Sequence, residues 1–151
     1  KKISNYLEAN KNIYASAAIT LLQKLIATPS FSKEEDATAS ILFEYLQQNG
    51  VTPNRYLNNV WATNKHFDPT KPSILLNSHH DTVKPNAGYT LDPYDPIIKE
   101  GKLYGLGSND AGASLVSLLH VFLHYSSSRG CTTAIIKSHK IISLDIYQGI
   151  W

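Results

Sequence analysis

His79 and Asp81 lie two positions apart at the end of an apolar run, in the sequence Ser-His-His-Asp-Thr-Val at positions 78–83. A neutral imidazole binds a divalent metal through one ring nitrogen, and a nearby carboxylate orients the ring through the other. A further carboxylate, Asp110, ends the glycine-rich sequence Gly-Leu-Gly-Ser-Asn-Asp. Because aspartate supplies oxygen ligands, the three side chains together predict part of a metal site.

The neighbouring elements indicate how these residues are positioned. The run at positions 73–78 predicts a buried strand, because its apolar residues are consecutive, as they are when both faces of a strand are covered. Ligands of open α/β sheets collect outside the carboxyl ends of strands, where His79 and Asp81 lie. Apolar residues at helical spacing from Leu115 to Leu123 predict a helix that begins shortly after Asp110. Both parts of the predicted site therefore lie on loops next to core elements.

Two helices are predicted before the first strand. Apolar residues recur at helical spacing from Ile13 to Ala27, which predicts the first helix. Ser32 and Glu35 have the spacing of a capping box and predict the start of the second, while Gly50 fits its end. The predicted core of the protein therefore begins with helices.

The remaining elements are short strands. The runs 55–57 and 60–63 predict a hairpin, with Asn58 and Asn59 in its turn because asparagine tolerates positive φ. After a serine-rich linker, the runs 132–136 and 141–146 are candidate strands. This order of elements predicts an α/β fold, a mixed-sheet α/β sandwich.

Composition sets broad limits on the class of protein. The 151 residues are 42% apolar and 17% charged, with a net charge of +2, which is typical of a globular domain. The lysines form no basic stripe, so we expect no nucleic-acid partner, and no run is long and apolar enough to predict a membrane partner. The single cysteine, Cys131, cannot form an internal disulfide, and we expect a cytoplasmic location.

The motifs at positions 79–85 and 103–110, in this order, resemble those of the zinc-dependent exopeptidase and deacylase family. That family includes aminoacylases, carboxypeptidases and succinyl-diaminopimelate desuccinylase. The residues of the two motifs are most similar to those of acetylornithine deacetylase. The resemblance implies a sandwich of the di-zinc exopeptidase type with an incomplete catalytic domain. Residues 1–125 would form the N-terminal part of that domain, and residues 126–151 a linker and a divergent tail.

The resemblance also implies roles for single residues. His79 would ligate one metal, Asp81 would orient His79 and tune the catalytic water, and Asp110 would bridge two metals. The cofactors implied are two divalent ions, zinc or cobalt. The implied reaction is hydrolysis of the amide bond of a small N-acyl amino acid, and a homodimer is expected for full-length relatives.

The chain departs from the family pattern after Asp110. The lysine that usually follows the bridging aspartate is absent, and there is no glutamate after Glu100 to act as the general base or as a further ligand. Asp145 is the only later carboxylate side chain. We therefore expect the chain alone to be inactive, and the alternative hypothesis is a truncated, non-catalytic domain that binds metal weakly or not at all.

Other motifs have plainer interpretations. His120 and His124 are four positions apart, as in metalloprotease helices, but the glutamate that should follow the first histidine is missing, so an ordinary helix flank is expected. Gly105 and Gly107 lack the third glycine of a dinucleotide-binding turn. In an extended backbone His80 points away from its two neighbours, which leaves a structural role or a place at the rim of the site.

Overall fold

The structure is a computed structural model that describes residues 2–127 and 134–138, with side chains from residue 13 to residue 126. Within these ranges the chain forms three α-helices, six strands and one kinked helical turn. The bounds are α1 Lys2–Ile26, α2 Asp36–Gln48, β1 Asn54–Tyr56, β2 Asn59–Thr63, β3 Ile74–Ser78, β4 Ile98–Lys99, β5 Lys102–Leu103, the kinked turn Ser108–Ala113, α3 Ser114–Ser127 and β6 Ala134–Ser138.

Four strands form one sheet in the order β1-β2-β6-β3. β2 is antiparallel to both β1 and β6, whereas β3 and β6 are parallel, so the sheet is mixed as predicted. β6 corresponds to the candidate strand 132–136, whereas the candidate strand 141–146 and Asp145 lie outside the described residues. β4 and β5 form a separate hairpin.

The core lies between this sheet and the three helices. α3 packs on β3 and β6, α2 packs on β2, and α1 packs on α3. Apolar side chains from these elements are shielded from water, which is the main stabilising contribution to such a fold. The most deeply buried of them are Leu21, Ala39, Leu42, Leu46, Val60, Ala62, Leu115, Val116, Leu119 and Phe122.

The first helix begins earlier than predicted. The apolar periodicity predicted a start at Ile13, whereas α1 begins at Lys2. The added residues include three asparagines, and their only large apolar residues are Ile3, Tyr6 and Leu7, so the apolar pattern is short there. Despite its 25 residues, α1 is not apolar enough to cross a membrane, and neither is any other helix in the described part of the chain.

The hairpin turn lies one residue before the predicted position. Tyr56 pairs with Asn59, so Leu57 and Asn58 form the turn, and Leu57 has a φ of 53°. Positive φ is uncommon for leucine. The register is fixed instead by Val60 and Ala62, which are 2% and 0% exposed, because a shift of one residue would turn both toward solvent.

The predicted capping box is wrong. α2 begins at Asp36 with Glu35 as its N-cap residue, and no side chain caps it. Lys33 has a φ of 78°, which interrupts a helical backbone before this point. The side chains of Ser32 and Glu35 therefore do not cap α2, and both make other contacts.

β3 is a strand as predicted, but it is not buried on both faces. Ile74 and Leu75 are 55% and 49% exposed, and β3 lies at the edge of the sheet. α3 covers one face, and no further strand pairs with the free edge within the described residues. An exposed apolar edge strand favours association with another chain.

Candidate metal site

His79 and Asp81 follow β3 directly and contact each other. The Nδ1 atom of His79 lies 3.1 Å from Oδ1 of Asp81 and 3.3 Å from the Asp81 carbonyl oxygen. Both oxygens can only accept when the carboxyl is ionised, so Nδ1 carries the proton. The lone pair of a neutral His79 is then on Nε2. This is the tautomer that a metal-binding histidine adopts when a carboxylate holds its other nitrogen.

Asp110 reaches the same place from the kinked turn. Its Oδ1 atom lies 3.2 Å from Nε2 of His79, and the peptide bond between Asp110 and Ala111 is cis. The approach depends on Gly107, which has a φ of 74° and where a Cβ atom would lie 2.7 Å from the Thr82 methyl group. A larger residue would therefore push the turn away from the segment that carries His79.

The separation of the two ligand atoms fits a shared metal ion. In a tetrahedral zinc site with bonds of about 2.0–2.2 Å, two ligand atoms lie roughly 3.3–3.6 Å apart. Nε2 of a neutral His79 and Oδ1 of Asp110 are both acceptors, so a cation or a proton between them removes the repulsion of their lone pairs. The side chain of Asp110 is 90% exposed, which leaves this point open to ions from solvent.

The described residues supply only part of a metal site. Within residues 2–127 and 134–138 no group of three or more histidine, cysteine, aspartate or glutamate side chains could hold a metal ion. Asp81 faces Nδ1 of His79, on the side of the ring opposite Asp110. The geometry therefore gives two converging ligands and one orienting carboxylate.

His80 points away from this site. Its Nε2 atom lies 2.9 Å from the carbonyl oxygen of Asn58, and its Nδ1 atom lies 2.8 Å from the Thr38 hydroxyl. Burial lowers the pKa of His80, although the hydrogen bond to Asn58 and the charge of Glu35 act in the opposite direction. A neutral His80 donates from Nε2 and accepts at Nδ1, which matches these two partners and the structural role.

Sequence reasoning missed Ser32. Its hydroxyl donates a hydrogen bond of 2.6 Å to Oδ2 of Asp81. The capping-box spacing predicts a place for Ser32 at the start of α2, and no local pattern links it to Asp81 because the contact joins distant parts of the chain. Only the packing of the α1–α2 connection against the end of β3 brings them together.

The histidine pair on α3 does not form a second metal site. Nδ1 of His120 lies 2.7 Å from the Val116 carbonyl oxygen, and its Nε2 lies 2.8 Å from the Tyr45 hydroxyl. Both ring nitrogens are therefore engaged. His124 instead contacts the Tyr14 hydroxyl. The expectation of an ordinary helix flank is wrong for His120 in one respect, since it is buried between helices.

Comparison with known proteins gives this geometry a family context. Residues 75–136, which include His79, Asp81 and Asp110, match the sequence profile described as Peptidase family M20/M25/M40. The chain is 31% identical over 110 residues to a succinyl-diaminopimelate desuccinylase from Stenotrophomonas maltophilia. This match covers 69% of the chain and 28% of that protein. The chain is thus similar to M20/M25/M40 peptidases over residues 75–136.

Solved structures show the same fold. An M20 family metallo-carboxypeptidase from Sulfolobus solfataricus superposes with a TM-score of 0.66 and 22% identity, over 80% of this chain and 29% of that one. A dinuclear metal-binding peptidase of the M20 family from Bacillus subtilis gives a TM-score of 0.56 and 17% identity, over 84% and 35%. The predicted mixed-sheet fold of the di-zinc exopeptidase type is confirmed. The chain spans about a third or less of the length of the desuccinylase and of the two peptidases.

Proposed function

We propose that the chain supplies part of the metal site of an M20-type hydrolase that cleaves an amide bond. The observation that carries the proposal is the pair of atoms Nε2 of His79 and Oδ1 of Asp110, which lie 3.2 Å apart while Asp81 holds the opposite nitrogen of the imidazole. This is an arrangement of a ligand, an orienting carboxylate and a second ligand from another loop. The family match to residues 75–136 supports the same assignment.

Each residue then has a distinct task. Asp81 keeps the proton of His79 on Nδ1, which leaves Nε2 as the ligand atom. Asp110 has two carboxylate oxygens and can bridge a pair of divalent ions, zinc or cobalt. Bound metal would polarise the scissile carbonyl and lower the pKa of a water molecule. The two-ion stoichiometry is supported by the M20 neighbour described as dinuclear.

For the substrate we infer a small N-acyl amino acid. The desuccinylase relative is named for the removal of a succinyl group from an amino acid, and the carboxypeptidase neighbour for cleavage at a peptide end. An acetylornithine-like substrate, together with a role in arginine biosynthesis, is the narrower form of this proposal. The amino-acid sequence of the motifs at positions 79–85 and 103–110 supports this narrower proposal. Parallel assays of N-acetyl and N-succinyl amino acids with the complete protein separate the two classes.

A second candidate is a folded, non-catalytic domain. It is favoured by the lack of a third converging ligand within the described residues. A site with two protein ligands binds zinc more weakly than a closed site with four. In this case the chain would bind metal weakly, without turnover.

Metal analysis with an amidase assay distinguishes the two candidates. The chain and its variants His79→Ala and Asp110→Ala are titrated with zinc by calorimetry, with His66→Ala as a control because His66 is exposed and outside the site. We expect zinc binding that both site variants lose and the control keeps. Equal zinc binding in all four proteins would contradict the proposed metal site. N-acyl amino acid hydrolysis that depends on both residues would contradict the non-catalytic alternative.

A further inference from the structure

The connection between α1 and α2 forms a support for the segment that carries the metal ligands. We call residues 30–38 the support segment. The Thr82 amide donates a hydrogen bond of 2.7 Å to the Ser30 carbonyl oxygen, and Phe31 and Thr82 form a parallel β-bridge. These main-chain contacts place the support segment alongside residues 79–82. Side chains of the support segment then reach two of the residues between β3 and Thr82.

The first contact runs from Ser32 through Asp81 to His79. The Ser32 hydroxyl donates to Oδ2 of Asp81 at 2.6 Å, while Oδ1 of the same carboxylate lies 3.1 Å from Nδ1 of His79. With both oxygens engaged, the plane of the Asp81 carboxylate is fixed. Since a hydrogen bond at a carbonyl oxygen prefers that plane, the imidazole of His79 is held in one orientation.

The second contact runs from Glu35 through Asn58 to His80. The Glu35 carboxylate accepts hydrogen bonds from the Lys33 amide at 2.6 Å and from Nδ2 of Asn58 at 2.7 Å. The Asn58 carbonyl oxygen in turn accepts from Nε2 of His80 at 2.9 Å. Glu35 therefore fixes the hairpin turn, and the turn fixes the residue that lies between His79 and Asp81.

The burial of Glu35 needs an explanation that its place in α2 does not provide. Glu35 is 4% exposed, and burying a carboxylate is unfavourable unless hydrogen bonds replace its hydration. Its side chain does not cap α2, although it stands at the N-cap position. Its two oxygens instead accept hydrogen bonds from the Lys33 amide and the Asn58 side chain, next to residues 79–81. Its contacts therefore serve the geometry of residues 79–81.

We propose that Ser32 and Glu35 are positioning residues of the metal site, which act through Asp81 and through Asn58 and His80. This inference rests on the proposed function, because it assigns the two residues to the orientation of His79 toward Asp110. It also explains why a sequence that resembles a capping box is not used as one. The side chains that would cap the helix instead contact Asp81 and Asn58.

The tautomer of His79 in the metal-free chain tests the positioning directly. Ring nitrogen shifts of ¹⁵N-labelled histidine at pH 8 distinguish protonation at Nδ1 from protonation at Nε2. We expect the Nδ1–H form in the wild-type chain, and in Ser32→Ala a ratio of Nδ1–H to Nε2–H that is lower by roughly fivefold, the effect of one typical hydrogen bond. Ser32→Thr keeps the hydroxyl and should restore the ratio. Ser117→Ala removes an exposed helical hydroxyl and should leave it unchanged.

Glu35→Ala should lower the same ratio through the second contact. If that variant fails to fold, Asn58→Ala breaks the same connection at a partly exposed position and should have the same effect. An unchanged His79 tautomer in Ser32→Ala and in the folded variant of the second connection would overturn the proposal. Thermal unfolding of each variant verifies that a shifted tautomer does not come from loss of the fold.

A zinc titration of the same proteins separates this inference from the proposed function. If both hold, Ser32→Ala binds zinc on the order of tenfold more weakly than wild type, as for other residues that orient a ligand. Ser117→Ala should match wild type. Absence of zinc binding in every protein, together with the tautomer shift, would contradict the metal site but not the positioning. Zinc binding that is equal in Ser32→Ala and wild type would contradict the positioning alone.

Discussion

His79 and His120 carry their proton on the same ring nitrogen but face different partners. In both, Nδ1 lies next to an oxygen that only accepts, the Asp81 carboxylate for His79 and the Val116 carbonyl for His120. The difference is at Nε2. His79 faces a second acceptor, Asp110, whereas His120 faces the Tyr45 hydroxyl, which can donate. The Nε2 lone pair of His79 can therefore bind a metal, because it faces a second acceptor. The Nε2 lone pair of His120 is already engaged by a hydrogen-bond donor, so His120 has a structural role.

The largest expected effect is at Asp110. Asp110→Ala removes the ligand that faces Nε2 of His79, and we expect zinc affinity to fall by roughly 100-fold or more, beyond the effect of losing an outer partner. Calorimetric titration with zinc measures the change. Asp95→Ala serves as the matched control, since Asp95 is an exposed aspartate outside the site. An unchanged zinc affinity in Asp110→Ala would contradict the conclusion that His79 is a metal ligand and His120 is not.

Tyr45→Phe makes the opposite test at His120. The variant leaves a buried Nε2 lone pair without its donor, and we expect a loss of about 1–3 kcal/mol in the free energy of unfolding, with no change in zinc binding. Asp110→Ala in the metal-free chain should change stability by less than about 0.5 kcal/mol, because Asp110 is exposed. Urea denaturation of both variants gives the comparison. Equal losses would show that the two histidines do not differ in structural role.

Gly107→Ala tests whether the position of Asp110 matters, because it displaces Asp110 from His79 without removing the carboxylate. The added methyl group meets the Thr82 side chain, and the φ of 74° is strained for alanine. We expect zinc affinity to fall about tenfold, since two ligand atoms can bind one metal ion only when the distance between them is fixed. Gly101→Ala is the control for strain alone, because Gly101 has a φ of 73° and nothing near its added methyl group. A loss of zinc binding as large in Gly101→Ala would assign the effect to stability.

The smallest expected effect is the pH dependence of stability that comes from His80. Its pKa in the folded chain lies below the ordinary value of 6.5 because burial disfavours the imidazolium. The unfolded chain therefore binds the proton first, and stability is lost as pH falls below 6.5, by at most about 1.4 kcal/mol per pH unit for one proton. Urea denaturation between pH 8 and pH 5 measures this loss. His80→Asn should flatten the dependence, whereas His66→Ala should not.

Local pattern was sufficient for most of the elements. The apolar spacing of residues 115–123 predicted α3, and the apolar run at positions 73–78 predicted β3. The start of α1 was wrong because its first residues have a weak apolar pattern, whereas the other two wrong boundaries depended on contacts from elsewhere. The hairpin turn moved to Leu57 because Val60 and Ala62 face the helices, and α2 began at Asp36 because the preceding residues are held against the end of β3. Propensity at a turn or a cap is weak compared with such packing.

By itself the sequence determined which residue types could do chemistry and on which loops they lie, because a histidine and an aspartate after a strand and an aspartate after a glycine turn are local features. Tertiary structure alone decided the rest. It placed Asp110 3.2 Å from Nε2 of His79, placed Tyr45 opposite His120, and turned Ser32 toward Asp81. Two similar histidines acquire different roles because the free energy of an imidazole lone pair depends on the group that faces it, and that group comes from a distant part of the chain.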